Sequence, residues 1–236
     1  MASVKSVMDS LKECATPQNV RSYIKHGAKG EFFGVSAVNL YAISKRINKD
    51  TKLARQLWET KNLDAMMVAT MIAQPVSIGG QQLDVWVKQI DFYPLADYFV
   101  RKLIVPSPYA KAKMRKWVKG KREYVQRCGY LLVAWLSMHD ETLSDTEFSD
   151  YLVDIESSIS GAANRAREAM NFAIIGIGRR NNALKKQALL TATRIGPIVI
   201  DHGRTGYKTP DAVVEIGRPN PRGWRLSNPA RGGTRR

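Results

Sequence analysis

Helical periodicity runs through almost the whole chain and limits the folds open to it more than any single motif does. The clearest case is residues 123–137, where apolar side chains form one broad stripe on a helix surface: Tyr124, Val125, Cys128, Leu131, Leu132, Trp135 and Leu136. The same period predicts helices near residues 4–13, 20–26, 36–47, 51–59, 63–73, 83–90, 94–104, 108–118, 146–159, 162–180 and 183–195. No β-alternation or hairpin turn interrupts them, so the chain is predicted to be all-α.

Residues with strong positional preferences mark where several of these helices begin. Asp50, Asn62 and Asp145 stand at positions typical of N-caps, because their side chains can accept a hydrogen bond from a free backbone N–H group. Pro94 and Pro108 stand where prolines of the first helical turn are favoured. We therefore expect short connections that pair the helices as hairpins.

These helical hairpins recur at a regular interval. Second helices begin near Leu63, Pro94, Lys121 and Ala162, a spacing of about 30 to 40 residues that is typical of HEAT or armadillo repeats. The repeats share no strict sequence signature, so a compact helical bundle is the alternative. We expect residues 1–216 to form an α-solenoid of HEAT-like antiparallel helical hairpins, whose second helices line the concave face.

The chain is strongly basic, with a formal net charge of +16 and an isoelectric point near 10.0. Such a charge predicts a polyanionic partner, most commonly nucleic acid, and a generally basic soluble protein is the alternative. The acidic residue Asp91 lies upstream of the most basic stretch, within which only Glu123 offsets the positive charge. The cations predicted to contact DNA phosphates there are Lys111, Lys113, Arg115, Lys116, Lys119, Lys121, Arg122 and Arg127.

Other classes of site are not indicated. Cys14 and Cys128 lack the spacing of a zinc site or of a disulfide framework, so we expect no metal and no cofactor. Lys5, Asp9 and Lys12 interrupt any apolar run at the N-terminus, and no segment is long enough to cross a bilayer. We expect a cytoplasmic, nucleoid-associated monomer without a membrane partner.

The composition changes beyond Ile216. Residues 217–236 are rich in Arg, Gly and Pro, contain no acidic residue and include one aromatic residue, Trp224. A basic segment with so little to bury is predicted to be disordered. It either contacts phosphates non-specifically or is an inert solvated tail.

Several short motifs, each weak individually, occur in a characteristic order. They are Phe32-Phe33-Gly34-Val35 before a helix, Leu57-Trp58-Glu59 before the next one, Trp86 with Asp91, Gln126-Arg127, and Ala169-Met170-Asn171-Phe172. In order and spacing they resemble the AlkD-type family of DNA alkylation repair proteins, within the HEAT-like repeat DNA glycosylase superfamily, over residues 30–195. The resemblance implies an α-solenoid that holds double-stranded DNA in a basic concave groove. It also implies a DNA repair glycosylase that removes N3- or N7-alkylated purines without a base-flipping pocket.

The resemblance also implies roles for individual residues. Asp91 matches the catalytic acid, and Arg127 matches an arginine that positions the backbone of the damaged strand. Phe172 matches an aromatic residue that packs against the lesion, whereas the other such position is Val87, with Trp86 one residue away. An alkylated purine departs as a neutral base, so a carboxylate that stabilises the oxocarbenium-like sugar and orients water is sufficient.

Each of these residues also has a plainer interpretation. Asp91 can cap the next helix, Trp86 and Phe172 can be core residues, and Arg127 can pair with Asp91 or Asp97. Some relatives of this kind bind DNA without glycosylase activity. A catalytically silent HEAT-repeat protein that recognises DNA by shape and backbone charge is therefore the alternative function.

A last group of polar residues follows the repeats. Asp201 and His202 are adjacent, but neighbours in a turn seldom form a working acid/base dyad, so a catalytic role there is disfavoured. Thr209 as N-cap and Pro210 in the first turn predict a short terminal helix.

Overall fold

Thirteen α-helices and no β-strand make up residues 2–218, which are the residues that the computed structural model describes. The helices are α1 (Val4–Glu13), α2 (Pro17–Lys25), α3 (Ala37–Ile47), α4 (Thr51–Glu59), α5 (Leu63–Ile72), α6 (Gly80–Val87), α7 (Tyr93–Tyr98), α8 (Ala110–Trp117), α9 (Glu123–His139), α10 (Asp145–Ser158), α11 (Asn164–Gly178), α12 (Asn182–Ile195) and α13 (Ala212–Gly217). One π-helix, Phe99–Ile104, continues α7 directly. The all-α prediction is confirmed.

Two of the three predicted N-caps are observed. Asp50 accepts a hydrogen bond from the N–H of Leu53, and Asn62 caps α5 in the same way. Asp145 was predicted wrongly, because Ser144 is the residue that caps α10. The Asp145 carboxylate instead accepts a hydrogen bond of 2.8 Å from Arg180, so this acid ties α10 to the end of α11.

The described residues form two compact units, which are unit 1 (residues 2–108 and 203–205) and unit 2 (residues 109–202 and 206–218). In unit 1, α5 is the central helix: it packs against α3, α4 and α7, and every one of its residues is buried. In unit 2, α9 packs against α8 and α11, and α12 packs against α10 and α11. The helices predicted as second members of hairpins are therefore neighbours within each unit, α5 beside α7 and α9 beside α11.

A buried carboxylate explains the Phe-Phe-Gly-Val motif of unit 1. Asp64, on the first turn of α5, accepts hydrogen bonds from the backbone N–H groups of Phe33, Gly34 and Val35 at 2.7, 3.1 and 3.0 Å. The Tyr23 hydroxyl donates a further bond of 2.8 Å to the same carboxylate. Gly34 has a φ of +82°, and a Cβ there would lie 2.6 Å from the backbone of α2, so only glycine fits. The motif is thus a loop wrapped around one buried anion.

A second glycine allows close helix packing in unit 2. A Cβ at Gly176, on α11, would lie 2.5 Å from the backbone oxygen of Ala134 on α9. Real Cβ atoms essentially never come so close, so the two helix backbones approach each other in a way that a larger residue prevents.

The C-terminal segment, residues 206–217, is held against α11. Asn171 donates a hydrogen bond of 2.8 Å from Nδ2 to the Pro210 carbonyl, and Arg179 donates one of 2.7 Å to the Glu215 carbonyl. The terminal helix begins later than predicted, because Asp211 and not Thr209 caps α13. The Thr209 hydroxyl is instead engaged by the His202 ring.

Candidate nucleic-acid interface

Some of the cations in the predicted basic cluster form ion pairs with acidic residues from other parts of the chain, whereas others do not. The Lys111 ammonium lies 3.1 Å from the Asp140 carboxylate. The Arg115 guanidinium forms a two-pronged contact with Glu147 on α10, with both N–O distances 2.9 Å. Hydrogen bonding to Arg115 holds the pKa of the Glu147 carboxyl below its usual value, so this acid is ionised at neutral pH. Two of the predicted phosphate-binding cations are therefore already paired.

Lys113 was predicted to contact DNA and is instead a core residue. Its side chain is 7% exposed, and its ammonium lies 5.9 Å from the centre of the Trp117 ring on the same helix. An amphipathic lysine can bury its aliphatic stem in this way, whereas a phosphate contact needs an exposed ammonium. Helical periodicity gives the reason: Lys113 lies on the apolar stripe of α8, between Ala110 and Trp117.

The cation turn, residues 119–122, is the part of the cluster that faces solvent. Lys119, Lys121 and Arg122 are all exposed, and none of their side chains forms a hydrogen bond or an ion pair with another residue in the range 2–218. Lys116, at the end of α8, is also exposed. Because the charges of Lys119, Lys121 and Arg122 are not neutralised within the described residues, they are available to a polyanion.

A cleft of about 710 Å³ lies beside the cation turn, between it and the α10–α11 connection. Lys119 and Lys121 line one side, and Ser160 and Ala163 lie on the other. The helices α9 and α11 both begin at this cleft. The N-cap of α9 makes no side-chain hydrogen bond, whereas the Glu123 carboxylate, which also lines the cleft, accepts a hydrogen bond of 2.6 Å from the backbone N–H of Arg165 in the first turn of α11. The partial positive charge of the α9 N-terminus adds to the attraction that the lysines exert on a phosphate, and the Glu123 carboxylate opposes it.

Arg127 is buried in unit 2 and was predicted wrongly as a direct phosphate contact. Its side chain is 1% exposed, and its Nη1 donates to Glu168 Oε2 at 2.7 Å and to the Arg165 carbonyl at 3.1 Å. The Arg165 guanidinium also reaches Glu168, at 3.2 Å. Burial alone would raise the pKa of the Glu168 carboxyl, but the two guanidinium groups outweigh it and hold that pKa below its usual value.

This cluster anchors the C-terminal segment through His202. The ring nitrogen Nε2 lies 2.8 Å from the Thr209 hydroxyl, and Nδ1 lies 3.4 Å from the Arg165 guanidinium. Because a guanidinium can only donate, the Arg165 contact favours a neutral imidazole in which Nδ1 accepts and Nε2 donates, although Glu168 Oε1 lies 3.8 Å from the same Nδ1. Burial lowers the pKa of His202, in keeping with that state. Sequence reasoning missed Glu168 and Arg165, although their i, i+3 spacing on α11 places them on one face.

Asp91 is exposed at the turn between α6 and α7. The N-cap of α7 is Phe92, which makes no side-chain capping hydrogen bond, so the capping interpretation of Asp91 is wrong. Within residues 2–218 the Asp91 carboxylate has no hydrogen-bond or ion-pair partner. The carboxylate is therefore open to solvent and to any ligand at this surface.

The two aromatic residues predicted to contact DNA are both in the core. Trp86 is 3% exposed and stacks on Trp58, with ring centres 4.4 Å apart and ring planes at 9°. Phe172, on α11, is 2% exposed. The alternative interpretation of Trp86 and Phe172 as core residues is therefore correct. Neither ring has an exposed face that could contact DNA. Burial depends on tertiary neighbours, which a single helix period does not reveal.

Residues 2–218 contain neither a cluster of metal ligands nor a membrane-spanning helix. No three His, Cys, Asp or Glu side chains there are grouped so that they could hold a metal ion. No helix in that range combines the length and the apolarity needed to cross a membrane.

Comparison with known proteins identifies the family. The sequence profile of a family described as DNA alkylation repair enzyme matches residues 7–205. The chain belongs to this family. The resemblance carried by the short motifs is thereby confirmed, and the family match includes most of α1 and all of α2 to α12.

Individual relatives agree with this assignment. Uncharacterised proteins of Listeria innocua and Listeria monocytogenes are each 22% identical over 211 residues, which is 87% of this chain and 92% of theirs. A solved structure is described as a new family of proteins related to the HEAT-like repeat DNA glycosylases with affinity for branched DNA structures. It has a TM-score of 0.83 and 27% identity, and the match covers 91% of this chain and 92% of that one. The predicted fold class of HEAT-like antiparallel helical hairpins is confirmed.

Proposed function

We propose that this DNA alkylation repair family member binds DNA through the phosphate backbone, with the cation turn as the main anchor. The exposure of Lys119, Lys121 and Arg122, which no acid in residues 2–218 neutralises, is the observation that carries this proposal. Unpaired surface cations displace the counterions condensed on DNA, whereas Lys111 and Arg115 are already held by carboxylates. The net charge of +16 adds long-range attraction.

We propose that the protein binds branched DNA in preference to linear duplex. The solved relative belongs to a family described as having affinity for branched DNA structures, and the match covers 91% of this chain. A branch point brings several phosphate backbones close together. A surface that reads charge and not base edges responds to that density of phosphates, independently of sequence.

Competition binding tests the proposal. A labelled four-way junction is challenged with unlabelled junction or with linear duplex of the same base composition, and the junction is expected to compete better at equal nucleotide concentration. The triple variant Lys119→Gln/Lys121→Gln/Arg122→Gln is expected to bind about tenfold or more weakly, because three phosphate contacts are lost.

A matched control removes the same charge elsewhere. Lys5, Lys45 and Lys52 are exposed lysines of unit 1, and Lys5→Gln/Lys45→Gln/Lys52→Gln also lowers the net charge by three. The control is expected to bind much more tightly than the cation-turn variant. Equal losses in the two variants would mean that only net charge matters and would contradict the anchor.

Asp91 supports a second candidate function, the excision of cationic N3- or N7-alkylated purines. Its carboxylate is exposed and caps no helix, so it is free to face a deoxyribose that develops positive charge. A carboxylate beside the sugar lowers the barrier to such an oxocarbenium-like state without a metal or a general acid. This function does not depend on the buried rings of Trp86 and Phe172.

Release of 7-methylguanine from an alkylated duplex tests the second candidate. Asp91→Asn keeps the size of an exposed side chain, so folding and DNA binding are expected to be unchanged, while base release slows about a hundredfold. Asp9→Asn, at an exposed aspartate of α1, is the matched control and should keep the wild-type rate. Equal rates for wild type and Asp91→Asn would refute the catalytic role. If neither releases base, DNA binding alone is the function.

A further inference from the structure

Unit 1 contains a cavity of about 340 Å³ that neither proposed function uses. It lies between α2, α3, α5 and the start of α7. Val35, Leu40, Met67 and Phe92 are buried residues of its lining and form its closed end. The volume lies in the range of small-molecule sites in proteins and exceeds that of a water-sized void.

Aromatic rings form much of the cavity wall. Tyr23 and Phe92 have ring centres 5.4 Å apart, and the Tyr23 hydroxyl is fixed by its hydrogen bond to Asp64. Tyr98 lines another side. Burial raises the pKa of Tyr98 to about 12, so it is a neutral phenol, and no hydrogen bond to its hydroxyl occurs within residues 2–218. Rings held this rigidly suit a flat aromatic ligand better than a flexible chain.

The part of the cavity lining that reaches solvent is mixed. On α2 it includes the polar side chains of Gln18, Asn19 and Ser22, and on α3 it includes Val38, which is 75% exposed. Within residues 2–218, the side-chain amides of Gln18 and Asn19 have no hydrogen-bond partner. Amides that both donate and accept can pair with the edge of a nucleobase, whatever pattern of donors and acceptors that edge presents.

Cations lie beside one wall of the cavity. Arg101 and Lys102 follow Tyr98 on the adjoining π-helix. The Lys102 ammonium lies 4.7 Å from the centre of the Tyr41 ring, and that ring lies 6.1 Å from the ring of Tyr98, which lines the cavity. A ligand that enters the cavity is therefore expected to carry negative charge close to its aromatic part. A nucleotide within a DNA strand has that combination.

We propose that this cavity takes one unpaired nucleobase of bound DNA, with its flanking phosphates held by the cations beside it. The inference rests on the proposed DNA binding and adds to it a contact with a base, of any identity. Stacking on aromatic side chains is tolerant of base identity, because every base has a π-face. A paired base is excluded, since it must first be unstacked and unpaired, whereas a bulged base or one at a branch point is already free.

Two bulged duplexes isolate the contribution of the base. Both carry a single-nucleotide bulge at the same place, but in one the bulged nucleotide is abasic, so the number of backbone charges is matched. Wild-type protein is expected to bind the base-containing bulge about tenfold more tightly, as one base–aromatic stack predicts. A 2-aminopurine base in the bulge is expected to lose fluorescence on binding.

Filling the cavity is expected to remove this preference. The leucine side chains of the variants Ser22→Leu and Ala37→Leu would extend into the cavity from α2 and α3 without adding an aromatic ring. Both should bind the two bulges equally and keep the wild-type affinity for the abasic bulge. Ser10→Leu, a half-buried serine of α1 outside the cavity, is the control and should keep the preference. Thermal unfolding of all three variants verifies that they fold.

The outcomes separate this inference from the proposed function. If wild type binds both bulges equally, or if both filled variants keep the preference, the cavity does not bind a base. DNA binding through the cation turn still stands in that case. If no DNA of any form is bound, both the function and the base site are refuted.

Discussion

Arg127 lies 2.7 Å from Glu168 inside unit 2, and its role follows from that position. Removing one partner of a buried ion pair costs about 3–5 kcal/mol, because the other charge stays buried without compensation. A substitution at Arg127 therefore acts first on the free energy of unfolding. Weaker DNA binding by such a variant would measure that loss and not a phosphate contact.

His202 makes the anchorage of the C-terminal segment sensitive to acid. Burial lowers its pKa below the usual value near 6.5, and Arg165 and Arg127 oppose protonation while Glu168 and Asp201 favour it. The unfolded chain therefore binds the proton first, so stability is highest above about pH 6.5 and falls as the pH drops through that value. Glu168, whose pKa is also lowered, adds a second loss below its usual value near 4.5.

Thermal unfolding between about pH 7.5 and pH 5.5 measures the His202 effect, since Glu168 stays ionised over that interval. Wild type is expected to lose thermal stability toward the lower pH. His202→Gln removes the titrating ring and is expected to show a flatter profile. Parallel profiles for the two proteins would show that the ring does not couple to folding.

At the scale of helices, the sequence predicted local features, which are helix positions and N-caps, and missed the ion pairs that form between different helices. The helix period located α9, and Asp50 and Asn62 identified true N-caps, because these signals lie within one turn. The predicted cation cluster was too large. Nothing in the period of α8 shows that α10 brings Glu147 to Arg115, or that α11 brings Glu168 to Arg127.

The contact between α9 and α11 depends on Gly176. A methyl group there would lie 2.5 Å from the Ala134 carbonyl, so Gly176→Ala is expected to lower the free energy of unfolding by about 2 kcal/mol through overpacking. Gly161→Ala is the control, because its Cβ would have no neighbour within 4 Å. Urea unfolding compares the two, and equal stability of both variants would contradict the close approach.

At the scale of the whole molecule, some basic side chains, such as those of Lys111 and Arg115, are paired with acids, whereas those of the cation turn are exposed and unpaired within residues 2–218. The fold class and the family could be predicted from motif order and hairpin spacing, because both patterns are read along the sequence and do not depend on tertiary contacts. The exposure of Asp91 could not, since Asp91 stands where a helix cap is equally plausible and only the structure shows Phe92 in that place. The domain boundary at residue 216 stays a prediction, and most of the predicted disordered tail lies outside the described residues.

Truncation tests the tail. Removing residues 219–236 leaves α13 and its contacts with α11 in place. The thermal midpoint is expected to stay nearly unchanged, while non-specific DNA binding weakens modestly through the lost arginines. A truncated protein that unfolds at a much lower temperature would show that the tail is structural.

The salt dependence of DNA binding tests the central claim most directly. For wild type, log affinity for duplex or junction is expected to fall linearly with log salt, by about 0.9 for each phosphate neutralised. In Lys119→Gln/Lys121→Gln/Arg122→Gln the slope is expected to become shallower by about 2.7, three times that value. A flat response in wild type, or an unchanged slope in the variant, would contradict backbone binding through the cation turn.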